Sequence, residues 1–196
     1  MRLIRVASAC ALVAAVVLTG CTTDPLAEKY GGEGTSFESD DGAFSEFAPA
    51  ERGDPVVFEG TTDTSTVVSN EDYAGQVLVV NFWYAECAPC RAEAPDLREI
   101  SMKYQGDGAS FLGINIYDQP ENALAFARTF GISYPSIMDA DTGTARLAFV
   151  GHAPPSAVPT TLVLDKQGRV AARFLGQISA PSNLDTIIRE LIGEDL

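Results

Sequence analysis

The chain has 196 residues, 46% of them apolar and 20% charged, which suits one globular domain with a substantial core. Its formal net charge of −14 excludes nucleic acid as a partner, because such a surface repels phosphate instead of releasing its counterions. No internal repeat is present, so repeat architectures are excluded as well.

Residues 1–20 read as a targeting segment. Arg2 and Arg5 form a short basic start, and the apolar run from Val6 to Leu18 is too short to span a bilayer comfortably. The run ends Leu18-Thr19-Gly20-Cys21, which resembles the bacterial lipobox. That resemblance implies cleavage before Cys21 and a diacylglyceryl group on its thiol. Cys10 is then discarded, and the protein is held at the extracytoplasmic face of the cell membrane by chains sufficient for stable anchoring. Residues 21–53 are rich in Gly, Ser, Asp and Glu and carry no sustained apolar period, so a flexible acidic tether is expected. A tether of this length spans on the order of 30 Å. Phe37, Phe44 and Phe47 are spaced through it and are candidates for docking on the domain or on a partner.

The folded domain is expected over residues 54–196. Val56-Val57-Phe58 and Thr66-Val67-Val68 predict a small hairpin around the turn residues Gly60 to Ser65. Gln76 to Tyr84 is a continuous apolar run, as in a central strand covered on both faces. A helix follows from Ala88 to Gln105, stopped by Gly106, with Leu97, Ile100 and Tyr104 facing the sheet and Pro95 kinking it. Ser110 to Ile116 predicts a second central strand. Pro120 and Gly131 bracket a helix carrying Leu124, Ala127 and Phe130, and a short strand follows near Ser136-Ile137-Met138. Asp141 is positioned to cap a short helix ending at Phe149. Thr161 to Asp165 and Arg169 to Leu175 form a hairpin, and a last helix buries Leu184, Ile187, Ile188 and Leu191.

The chemistry concentrates where the first central strand meets its helix, at Cys87-Ala88-Pro89-Cys90. Two cysteines separated by two residues at a helix start bring both sulfurs to one end of the helix. There the free first-turn N–H groups and the helix dipole stabilise a thiolate. This lowers the pKa of Cys87 and makes it the attacking sulfur, exposed to a partner, with Cys90 as the resolving thiol. Pro89 sits in the first turn, where its missing N–H costs little. A zinc site would need two further ligands, and only Cys21 and His152 remain to supply them. No metal and no other cofactor are therefore assigned.

Asn81-Phe82-Trp83 through Cys90-Arg91, Pro95 five residues on, and Val158-Pro159-Thr160-Thr161 together resemble the thioredoxin superfamily. The Asn at 81, the lipobox and the longer middle section resemble its TlpA/ResA/DsbE-type extracytoplasmic branch. The resemblance covers residues 54–196. It implies an α/β thioredoxin-like fold with a mixed central sheet flanked by helices, an N-terminal β-hairpin and a central strand–helix insertion over residues 110–138. It also implies a cis peptide at Pro159, with Val158, Pro159 and Trp83 forming the client-binding surface beside the disulfide. The implied function is exchange of the Cys87–Cys90 dithiol or disulfide with protein clients, including reduction of apocytochrome c in cytochrome c maturation. A membrane thiol reductase of DsbD or CcdA type is the implied electron donor.

Three features depart from the family pattern. Glu86 stands where Trp is usual; its carboxylate either raises the pKa of Cys87 or points into water and matters only for docking. Asn81 replaces a buried acid, leaving Glu93 as a candidate proton carrier or simply a residue suited to the first helical turn. The loop Gly151 to Ala157 is long, and it is expected to border the disulfide and influence partner choice. An alternative reading is copper delivery of the Sco type, with Cys87, Cys90 and His152 as a soft three-ligand site. A peroxidase reading has less support, since Tyr84-Ala85-Glu86 lacks the activating Thr of peroxiredoxins.

Overall fold

The computed structural model describes residues 36–154 and 156–194. The expected signal segment, Cys21 and the first part of the tether lie outside the described residues. Among the described residues the strands and α-helices are, in order, β1 (Phe37–Glu38), β2 (Phe44–Glu46), β3 (Glu59–Thr61), β4 (Val67–Ser69), β5 (Val77–Trp83), α1 (Ala88–Tyr104), β6 (Ala109–Asn115), α2 (Pro120–Phe130), β7 (Ser136–Met138), α3 (Thr144–Ala148), β8 (Thr160–Leu164), β9 (Val170–Leu175) and α4 (Pro181–Gly193), with a 3-10 turn over Asn70–Tyr73.

Seven strands form one mixed sheet in the order β1-β2-β9-β8-β5-β6-β7, while β3 and β4 pair apart from it. β5, β6 and β7 run parallel; β8, β9 and the N-terminal pair add antiparallel. The alternation of side chains along β5 divides the core in two. Val77 and Val79 pack with Leu97, Ile100 and Tyr104 of α1 and Leu184, Ile187, Ile188 and Leu191 of α4. Leu78, Val80 and Phe82 point the other way, toward Val56, Phe58, Ala145 and Phe149. β5 is buried along its whole length, as a strand covered on both faces must be. This is the expected α/β thioredoxin-like arrangement, with the β6–α2–β7 unit added at one edge of the sheet.

The largest departure is at the N-terminal boundary. The tether expected to continue to Gly53 is structured from Ser36, because β2 completes the sheet against β9 and Phe44 stacks on Phe174 at 4.8 Å. Phe47 packs beneath the second core, and Phe37 covers Phe44 at 5.9 Å. Arg52 then fastens this segment, donating to Asp165 at 3.1 Å and to both carboxylate oxygens of Glu194 at 2.7 and 2.8 Å. A guanidinium held by two carboxylates with its side chain 3% exposed belongs to a domain and not to a linker.

Smaller differences have local causes. The early hairpin forms one step later than expected, pairing Glu59–Thr61 with Val67–Ser69, which frees Val56 and Phe58 for the core. Helix α2 buries Ala123 and Phe126, with Leu124, Ala127 and Phe130 at the margins. Helix α3 is capped by Asp139 and not Asp141; its carboxylate accepts from the Ala145 and Arg146 amides at 2.9 and 3.0 Å.

Candidate active site

Cys87 is the N-cap of α1, and the Cys90 amide donates to its sulfur at 3.2 Å. The two cysteines form a disulfide, with Cα atoms 5.2 Å apart. Pro89 lies in the first turn, as its missing N–H allows, and Pro95 lies inside the helix where it cannot bond the Arg91 carbonyl. Both cysteines are covered in this disulfide form, at 3% exposure each, so neither sulfur is the exposed one anticipated for Cys87. The rim around them is open instead, since Glu86, Ala88 and Pro89 are all exposed.

Behind the disulfide sits Trp83, packed with Ala94, Ala123 and Phe126 in a cluster that includes both cysteines. Its indole stacks on Phe126 at 4.3 Å and donates to Ser136 Oγ at 3.2 Å. Gly113 makes this possible, because a Cβ there would collide with both Ser136 and the indole nitrogen. At 5% exposure, Trp83 is buried behind the disulfide and presents little surface of its own. The Val158–Pro159 peptide is cis, and Val158 packs against the same cysteine cluster. The backbone N–H and C=O of Val158 take no hydrogen bond among the described residues.

Glu93 is fully buried one turn into α1, beyond the first turn that would have made it merely a favourable helix-start residue. Asn81 donates to its Oε1 at 3.0 Å and to Thr161 at 3.1 Å, and the Ile178 amide donates to Oε2 at 3.1 Å. Burial pushes the Glu93 carboxyl up to about 7, although the Ile178 and Asn81 hydrogen bonds pull it down; the Asp96 charge adds to the rise. A cavity of ≈ 10 Å³ is lined by Asn81 and Cys90 together with Trp83, Tyr134 and Ser136. That is at the lower limit of the room one water needs. Desolvation, and then the Glu93 charge, push the Tyr134 phenol above its ordinary range.

His152 does not join the cysteines. It lies beside Gly53, its carbonyl accepts from Arg173 of β9 at 3.3 Å, and burial followed by the Arg173 charge lowers its pKa. The next residue, Ala153, packs into the core on the other face of the sheet from the disulfide. Among the described residues no three His, Cys, Asp or Glu side chains gather to hold a metal ion, which removes the copper site proposed for Cys87, Cys90 and His152.

A model of the AhpC/TSA family matches residues 53–173. The chain belongs to that family. It is 36% identical over 132 residues to the thiol:disulfide interchange protein HelX of Rhodobacter capsulatus, covering 67% of this chain and 68% of HelX. It is 32% identical over 108 residues to the thiol-disulfide oxidoreductase ResA of Geobacillus thermodenitrificans, covering 55% of this chain and 59% of ResA. The chain therefore spans under two thirds of the length of that ResA relative. Among solved structures, a secreted thiol-disulfide isomerase from Corynebacterium glutamicum superposes with a TM-score of 0.72 at 34% identity. That match covers 83% of this chain and all of the other. A DsbF homologue from Corynebacterium diphtheriae gives 0.69 at 39% identity, over 80% and 99% of the two chains.

Sequence reasoning passed over Ser136, Tyr134, Thr161, Ile178, Asn115 and Asp118, all of which support the site. The last two carry a readable signal, an Asn closing an apolar strand with an Asp three residues on, the pattern of a side-chain-closed turn.

Proposed function

We propose that this protein is an extracytoplasmic thiol–disulfide oxidoreductase that exchanges the Cys87–Cys90 couple with protein clients. The observation that carries the reading is the closed Cys87–Cys90 disulfide at the N-terminus of α1 with the cis Val158–Pro159 segment packed against it. In the reducing direction, the Cys87 thiolate attacks one sulfur of a client disulfide, and the other client sulfur leaves as a thiolate. Cys90 then loses its proton and attacks Cys87, closing the disulfide and releasing the second client thiolate. Two electrons pass to the client, and the oxidising direction is the reverse. Helix N-terminal N–H groups stabilise Cys87 as the nucleophile. The backbone of Val158, whose N–H and C=O take no hydrogen bond among the described residues, suits pairing with an extended client chain. Glu93, raised toward neutrality and oriented by the Asn81 amide, is the group that takes up the resolving thiol's proton by way of water and returns it in the reverse direction. Glu86 is exposed, which favours a role in client docking.

The finer parts of the reading follow the resemblance to ResA-type proteins. The haem-attachment cysteines of an apocytochrome c are the client, a DsbD or CcdA type membrane reductase is the donor, and Cys21 carries the lipid anchor. The secreted C. glutamicum neighbour supports the extracytoplasmic location. Among the described residues no helix is long and apolar enough to cross a membrane.

The test is trapping. Cys90→Ser is expected to hold a client, or a scrambled protein disulfide, as a dithiothreitol-sensitive adduct on Cys87. Cys87→Ser is expected to form none and to lower turnover to the uncatalysed rate. Equal turnover by Cys87→Ser and wild type would refute the reading.

A further inference from the structure

The loop that delivers Cys87 to the start of α1 is held from α1 by Arg91, which donates to the Ala85 carbonyl at 3.3 Å, and from the sheet by a carboxylate. Asp118 follows β6, and its Oδ2 accepts the Ala85 amide at 2.6 Å and the Asn115 side-chain amide at 2.7 Å. Asn115 is fully buried, and its Oδ1 accepts in turn from the Asp118 and Tyr117 amides at 2.8 and 3.2 Å. The carboxylate is thus oriented from within the sheet. The same two segments meet twice more, through the Ile116 amide on the Trp83 carbonyl at 3.1 Å and through the Tyr84 and Tyr117 rings at 5.1 Å. The Cys87 amide closes onto the Tyr84 carbonyl at 3.2 Å, so a constraint on Ala85 is a constraint on Cys87. Asp118 also borders an open groove of ≈ 250 Å³ shared with Ala85, Glu86, Arg91 and Phe130.

We propose that Asp118 is a positioning residue of the exchange site, whose carboxylate fixes the 84–87 loop so that Cys87 stays within reach of Cys90. The inference rests on the thiol–disulfide reading above. An intramolecular disulfide is favoured in proportion to the effective concentration of its two thiols, and a loop held in place raises that concentration. Freeing the loop makes the disulfide easier to reduce. Because both hydrogen bonds fall on a single oxygen, Asn at 118 can keep them through its carbonyl while removing the charge, whereas Ala removes both.

The full chain, its Asp118→Ala and its Asp118→Asn forms are equilibrated in glutathione redox buffers, and the dithiol fraction is read by thiol alkylation. The expected result is a three- to tenfold shift toward dithiol for Asp118→Ala and less than a twofold shift for Asp118→Asn. Thermal unfolding of each form, oxidised and reduced, separates positioning from plain stability. A purely structural role lowers both melting temperatures alike and leaves the redox equilibrium where it was. Either that outcome, or an Asn shift as large as the Ala shift, overturns the proposal. If Asp118→Ala does not fold, Asp118→Ser, whose shorter side chain stops short of the Ala85 amide, gives the same reading. Failure of the wild-type chain to cycle at all refutes the thiol–disulfide reading itself, and is distinguishable from either result.

Discussion

Two buried carboxylates, Glu93 and Asp165, show how differently one side-chain type is used at opposite ends of the sheet. Asp165 closes the β8–β9 turn, accepting from the Gln167 and Arg169 amides, and faces the guanidinium groups of Arg52 and Arg169. Glu93 is equally enclosed, yet it meets only neutral donors, from Asn81 and Ile178. A charge compensated by charges fastens chain segments together. An acid left without a cation is pushed toward neutral pH, where it can hold or release a proton. The first arrangement builds the domain, and the second serves the disulfide next to it.

The sharpest way to break this comparison is to remove the cation. Arg52→Ala leaves Glu194 and part of the Asp165 charge unpaired and is expected to cost about 3 kcal/mol of stability, measured by urea unfolding. Disulfide exchange by the folded variant should be unchanged. An effect on exchange as large as the effect on stability would dissolve the distinction between the two ends.

The Glu93 side is read from pH dependence. Its carboxyl ordinarily titrates at 4.5 and in the folded chain at about 7. Between those values the folded state keeps a proton that the unfolded chain has lost, so stability falls as pH rises through this window and levels off above it. The loss from this group is about 3 kcal/mol. Glu93→Gln, which cannot ionise, should flatten the stability profile between pH 5 and 8 and blunt the pH dependence of exchange. A variant with the wild-type slope would show that Glu93 is not the group titrating there.

The smallest effect belongs to the hairpin that Arg52 secures. Phe44→Ala removes a half-buried ring from Phe174 and should cost about 1–2 kcal/mol, with amide exchange accelerated most in residues 37–46. Uniform acceleration across the sheet would mean that the hairpin is not a separate attachment.

The contrast also marks what the sequence could reveal. Val77 to Trp83 and the cysteine pair were legible because continuous apolar runs and helix-start geometry are local signals, whereas Pro159 was reached only through the family resemblance. The 36–53 segment was not, because its composition is that of a linker and its order comes from β9 and Glu194, more than a hundred residues away. Glu93 was legible as a candidate, but not its burial, which depends on the distant loop carrying Ile178. Trp83 was assigned to the client surface by the family resemblance alone, which does not say how deeply it is buried. Only the approach of Gly113 and Ser136 shows that it lies behind the sulfurs. His152 was grouped with the cysteines by chain proximity to Pro159, although the loop turns Ala153 into the opposite core.

The most direct measurement is the redox equilibrium of the full chain against glutathione and dithiothreitol buffers. A single reversible two-electron transition that disappears in Cys87→Ser is the predicted result. A value near about −270 mV, as in thioredoxin, would mark a reductant, and one near about −120 mV, as in DsbA, an oxidant. Absence of any reversible thiol couple would contradict the account.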